Sequence, residues 1–331
     1  MSDSLQPNFL RIHQFAGLHP GPRLLVSAAV HGNEICGVAA IQRVIAALDS
    51  GALRLTCGTL SFIPIVNPLA HARGQREGER NLNRNLRPPV VPHDFEDRIA
   101  RQLCRWLADH EVLLDLHSFQ GQGKPFAMLG PRDNRGELEP FAHERAEGLL
   151  AACVGTERIV EGWLSTYALG LQRRAAKAAE TGLGSRRAAL QQDPHYGVGT
   201  TEYMRSQGGY GITLECGQHQ DPNAPEFAYK AILRTLVLLG MVDAGVVEPR
   251  PEAKPELLQL YEVIDREHEG DQFVQAWASF DPVVKGQPIG TRHDGTPVLA
   301  PDDGRIVFPA ANAQPGSEWF YLARASSRQL G

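Results

Sequence analysis

The sequence predicts an α/β fold followed by a smaller all-β C-terminal region, and three observations carry that expectation. Apolar runs at 24–30, 60–66, 112–117 and 211–215 alternate with helical patterns at 36–48, 94–110, 137–152 and 225–241. Such alternation is that of a sheet covered by helices on both faces. Residues that can do chemistry cluster at the C-terminal ends of those runs, where open α/β sheets bind ligands. After Gly245 the pattern changes. Pro249, Pro251 and Pro255 mark a linker, and from 257 onward short β-like runs are separated by Asp281-Pro282, Lys285-Gly286, Asp294-Gly295 and Asp303-Gly304. That is the turn spacing of a small sandwich or barrel. We therefore expect two units, residues 1–248 and 249–331.

The first run, Leu24 to Val30, delivers His31-Gly32-Asn33-Glu34 into a turn ahead of helix 36–48. The run Val112 to Leu116 delivers Asp115-Leu116-His117-Ser118. Two imidazoles and a carboxylate, His31, Glu34 and His117, form a ligand set that suits one Zn²⁺ with a coordination position left over. Asp115, two residues before His117, is expected to accept the second ring N–H and fix the tautomer. His-x-x-Glu alone is a weak signal, and His93-Asp94-Phe95-Glu96 repeats it. There Phe95, Ile99, Leu103 and Leu107 make one apolar helix face, so His93 and Glu96 are read as polar first-turn residues.

The run Leu60 to Val66 leads to Asn67-Pro68 and then to Arg73, Arg76, Arg80 and Arg84, interleaved with Asn and Gly. Guanidinium forks match planar carboxylates; a solvated loop partly neutralised by Glu77 and Glu79 is the plainer alternative. The last run ends in Thr213-Leu214-Glu215-Cys216-Gly217. A glutamate leaving a strand beside a metal site suits a general base, although a lone strand-end Glu is more often a hydrogen-bond partner.

Taken in order, HGNE, NP…NLNR, DLHS and LECG resemble the succinylglutamate desuccinylase/aspartoacylase family, zinc amidohydrolases related to the metallocarboxypeptidases. The resemblance covers roughly residues 20–245. It implies a zinc-carboxypeptidase-like mixed sheet flanked by helices, with a C-terminal β domain bordering the active-site opening. By the same resemblance His31, Glu34 and His117 are the zinc ligands, one zinc per chain. Arg76 polarises the scissile carbonyl, and Asn83 and Arg84 hold the carboxylate of a small anionic N-acyl amino acid. Glu215 is the catalytic glutamate, and Arg205 falls near a second carboxylate-binding arginine of some members. The chain departs from the family in having Asn81 where Asp is usual. Its segment 163–200, with Arg173, Arg174, Lys177, Arg186 and Arg187, matches nothing in the two named enzymes. For 166–195 a solvated face is favoured over an insertion across the crevice.

The 331 residues carry a net charge of −5. That balance, with aromatics not interleaved among the basic residues, argues against a nucleic-acid partner. No apolar stretch is long enough to span a membrane, and the start MSDSLQPNFL does not have the pattern of a signal peptide. Five widely spaced cysteines, mostly in apolar runs, suit a reducing compartment, so a cytoplasmic protein is expected, with a homo-oligomer allowed. Phosphate-loop, dinucleotide and serine-elbow motifs are missing. The alternatives to a deacylase are a peptide-trimming carboxypeptidase with the same zinc chemistry and a non-catalytic binder of an acidic metabolite.

Overall fold

The computed structural model describes residues 9–181, 193–248 and 254–330, of which 177–181 by their backbone alone. Lys177's side chain, Arg186, Arg187, Pro249 and Pro251 lie outside the described residues. Strands β1 (His13–Ala16), β2 (His19–Ala28) and β3 (Cys57–Ile63) join β4 (Val112–Phe119), β5 (Phe126–Leu129), β6 (Arg158–Glu161) and β7 (Tyr210–Gln218). The sheet order is β1-β3-β2-β4-β7-β5-β6, with β3, β2, β4 and β7 mutually parallel and β1 and β5 antiparallel to their neighbours β3 and β7.

Side chains alternate across that sheet with the period of two that a strand imposes. Leu24, Val26, Leu114, Leu116, Ile212 and Leu214 pack on one face against Ile41 and Val44 of α1 (Cys36–Asp49) and Ile232 and Leu236 of the helix Ala224–Leu238. Leu25, Ile63 and Leu113 face the other way, onto Ile99, Leu103 and Leu107. These three belong to the helix Phe95–Ala108, whose first turn is capped by the Asp94 carboxylate accepting from the Asp97 N–H. The central strands are buried on both sides, so they read as continuous apolar runs.

The expected helix 137–152 begins only at Glu144 and ends at Cys153. Pro140 disfavours helical backbone before it, and Asn134 pairs with Phe141 as an isolated bridge instead. The described side chains of the segment after β6, 163–176, are partly buried rather than forming a solvated face. Helix Trp163–Thr181 buries Leu164, Tyr167, Ala168 and Leu171, and Arg174 binds both Asp265 oxygens and Glu318.

Past residue 254 the described chain is built of strands, as expected, but they do not stand apart. Strand β8 (Glu256–Asp265) pairs parallel with β6, and the Glu318–Ala325, Gly304–Val307 and Pro282–Val283 strands continue the same sheet to eleven strands. A separate three-stranded antiparallel sheet joins Gln272–Phe273, Pro288–Thr291 and Pro297–Leu299. Trp319, Phe320, Ile306 and Ile289 form the local core.

Candidate metal centre

The sheet brings the ends of β2, β4 and β7 side by side. Ala29 takes a left-handed φ of 49°, which ends β2 and turns the chain outward. The Val66 and Asn67 N–H groups hold that turn by donating to the Ala28 and Ala29 carbonyls. Gly32 then passes so close to the helix Pro68–Arg73 that a Cβ there would sit 2.0 Å from the Ala70 carbonyl carbon. On the next strands His117 and Glu215 are register partners.

His31, Glu34 and His117 meet, all buried. Glu34 Oε1 lies 2.9 Å from His31 Nδ1 and 3.1 Å from Arg76 Nη1, and Glu34 Oε2 lies 2.8 Å from His117 Nδ1. The Ser118 N–H also donates to Glu34 Oε2, at 3.2 Å. His117 Nε2 is 2.9 Å from Asp115 Oδ2. Asp115 in turn accepts from Ser27 Oγ at 2.6 Å and from the Thr200 hydroxyl.

This donor set fits a divalent cation. His31 Nε2 faces the Asn81 amide oxygen at 3.2 Å, while the buried Nδ1 faces Glu34 Oε1 at 2.9 Å without hydrogen-bond alignment. When each histidine gives its Nε2 hydrogen to a neighbour, both Nδ1 lone pairs are left facing Glu34. A positive centre, a proton or a metal ion, then has to sit between them. Without a metal, Asp115 and Glu34 raise the His117 pKa well above its usual value against the cost of burial, and metal ligation uses imidazole in the neutral form. Burial, reinforced by the Arg76 charge, lowers His31 to about 4.

Glu215 is buried, and its Oε2 has no partner among the described residues. Burial pushes its pKa up to about 8 against the pull of His117.

The four arginines divide. Arg80 is spent on Asp94 and Asp97 at the start of the 95–108 helix and on the Asn81 and Arg84 carbonyls. Arg73 donates to the Gly78 carbonyl. Arg76 reaches Glu34 with half its side chain exposed. Arg84 lies over the rings of Trp163 and Tyr167, its guanidinium carbon 5.0 and 4.8 Å from their centres. Asn83 Oδ1 accepts from the Thr200 N–H, so NLNR is tied to the strand-end cluster through Thr200.

Arg205 is not brought to this cluster. Its five N–H groups are taken by both Glu147 oxygens, Glu139, Glu202 and the Gly211 carbonyl. Among the described residues these contacts occupy every donor that a substrate carboxylate would need.

His93 is exposed. Glu96 is fully buried, and it accepts from Asn67 Nδ2 and from the Gly78, Glu79 and Arg80 N–H groups. Glu79 and Asp94 stand near enough to Glu96 to form a second acidic group, but Glu79 accepts from the Phe95 N–H and Asp94 from Arg80.

Sequence reasoning missed Asn81 as a partner of His31, Ser27 and Thr200 as partners of Asp115, the rings flanking Arg84, and Glu96 as the anchor of the arginine loop. Asn81 was visible as a departure from the family pattern. The others carry no spacing signal.

Residues 20–238 match the succinylglutamate desuccinylase/aspartoacylase catalytic domain. The chain belongs to this family. Several solved structures share its fold. One is the succinylglutamate desuccinylase/aspartoacylase of Rhodobacter sphaeroides, 18% identical, with a TM-score of 0.70 over 96% of this chain and 90% of that one. Another is the product-bound ectoine utilization protein EutE (DoeB) of Ruegeria pomeroyi, 18% identical, with a TM-score of 0.68 over 95% and 88%. The succinylglutamate desuccinylase of Vibrio cholerae is also 18% identical, with a TM-score of 0.68 over 95% and 85%. Desuccinylase/aspartoacylase-like proteins are hydrolases of small acylated amino acids. No helix among the described residues is long and apolar enough to cross a membrane.

Proposed function

We propose that the protein is a zinc-dependent deacylase that hydrolyses the amide bond of a small N-acyl amino acid or a similar acidic amide. His31, Glu34 and His117 would hold the metal. Zinc bound there polarises a carbonyl and lowers the pKa of water.

Glu215 is the base in this reading. A carboxylate raised by burial takes a proton from the attacking water and, once protonated, passes it to the departing amine. Arg76 stabilises the developing oxyanion, a contribution often worth about 3 kcal/mol. Asn83 and Arg84 grip the substrate carboxylate and set its register. Asp115 keeps the His117 ring oriented.

The single observation that carries the reading is the meeting of two Nδ1 atoms and the Glu34 carboxylate, with the unpartnered Glu215 oxygen on the neighbouring strand. A pure binder has no use for that base.

The test is amine release from a panel of N-acetyl, N-succinyl and N-formyl amino acids, with chelator and with zinc add-back. Turnover that the chelator abolishes and zinc restores is the expected result. Glu215→Gln should keep its zinc and lose activity by orders of magnitude. A near wild-type rate in that variant would remove Glu215 as the base. Silence from zinc-loaded protein would turn the reading toward peptide substrates, and inability to hold zinc would end it.

A further inference from the structure

We propose that Asn81 selects the metal-binding tautomer of His31 and couples that ligand to the substrate-gripping loop, an inference that rests on the zinc reading above. The backbone N–H of Asn83 can only donate, and it meets Asn81 Oδ1 at 2.9 Å. That contact decides which way the amide points. The same oxygen lies 3.2 Å from His31 Nε2. An amide oxygen only accepts, so Nε2 carries the hydrogen and Nδ1 keeps its lone pair.

His31 is 3% exposed, so bulk water does not compete for the ring. The direction of control runs from loop to histidine. Asn81 sits in a segment pinned from outside, with the preceding Gly78, Glu79 and Arg80 N–H groups on Glu96. Arg80 Nη1 holds the Asn81 carbonyl at 3.2 Å. One amide oxygen therefore binds a ring N–H of the metal site and the backbone of Asn83, which is next to Arg84.

His117 has a carboxylate, Asp115, at the equivalent place. The two imidazoles are thus oriented by partners of different charge. A neutral partner fixes the His31 tautomer while adding no negative charge beside the metal, so His31 is the less basic of the two ligands.

The test uses two readouts. In metal-free protein labelled with ¹⁵N-histidine, long-range ¹H–¹⁵N correlations at neutral pH report which His31 nitrogen carries hydrogen. Zinc affinity is measured with Zn²⁺ alone against a calibrated chromophoric chelator. Wild type should show the Nε2–H form. Asn81→Leu should lose that preference and bind zinc roughly 10–100-fold more weakly, the usual cost of removing such a partner. Asn81→Asp, which keeps the acceptor, should hold the tautomer and bind zinc at least as tightly as wild type.

An Nδ1–H form in wild type would overturn the proposal. So would a folded Asn81→Leu protein with unchanged zinc affinity, or a tenfold loss in Asn81→Asp. The last criterion stands even if the leucine variant fails to fold. Wild type that shows the Nε2–H form yet takes up no zinc would instead sink the zinc reading, and with it the claim that this tautomer serves a metal.

Discussion

Arg84 spends one N–H on the Asn83 carbonyl and lies against two aromatic rings. Burial works against its charge, and the neighbouring Tyr167, Glu318 and Tyr321 more than restore it, so its pKa is raised. A cation held this way keeps donors for a planar anion. Arg84→Ala is expected to raise KM with a smaller effect on kcat; an unchanged KM with a collapsed kcat would assign it to the oxyanion instead. Arg205 makes the opposite case. Its guanidinium neutralises the fully buried Glu147, so Arg205→Ala should cost about 3–5 kcal/mol of stability, the usual penalty for stranding a buried charge. Urea unfolding measures that loss, and kinetic constants per folded molecule should stay near wild type. A stable variant with a raised KM would return Arg205 to the substrate.

The turn from β2 into α1 carries two of the three proposed ligands, and its shape depends on a close approach rather than on hydrogen bonding alone. A side chain at Gly32 would meet the Ala70 and His71 backbone at 2.0–2.3 Å. Backbone on both sides leaves nothing flexible to yield. Gly32→Ala is therefore expected to displace the turn and abolish zinc uptake while circular dichroism still shows a folded protein. Zinc bound at wild-type affinity would show that the turn can relax without moving His31. The arginine loop is set by the same kind of tertiary constraint. Glu96 comes from the first turn of the 95–108 helix and takes four N–H donors, so that helix holds the loop in place.

Across the whole molecule, the C-terminal strands are joined to the catalytic sheet through the parallel β6–β8 pair. Arg158 binds Glu256 across that seam, and Arg305 of the 304–307 strand holds the same carboxylate from the C-terminal side. The far end depends on Asp271, whose buried carboxylate accepts from Arg292 and from the Glu267, His268 and His293 N–H groups. Burial alone would raise its pKa, but those donors hold it at about 2. An unfolded aspartate titrates at about 3.9, so on acidification the unfolded chain takes up the proton first. The stabilisation is whole above the unfolded value and is lost as pH falls from about 4 through about 2. Asp271→Asn should lower stability at neutral pH and flatten the acid part of the curve, measured by urea unfolding between pH 2 and pH 7. An unaltered slope would place the acid lability elsewhere.

The sequence by itself determined the alternation of strands and helices, the family, and the placement of His31 and Glu34 in the turn after one strand and of His117 and Glu215 near the ends of two others. Those features are local: periodicity records which faces are buried, and a motif records which side chains a strand delivers at its end. Only the tertiary structure decided that Asn81 meets His31, that Ser27 and Thr200 meet Asp115, and that Arg205 is used up on Glu147. Among the four arginines of the loop, it also decided that Arg80 is consumed internally and Arg84 is flanked by aromatic rings. A hydrogen bond between residues 27 and 115, or between 83 and 200, depends on strand register and on how a loop is pinned. Spacing along the chain carries no record of either. The same reason hid the joining of the C-terminal strands to the sheet, because an edge strand does not specify which neighbour it will pair with.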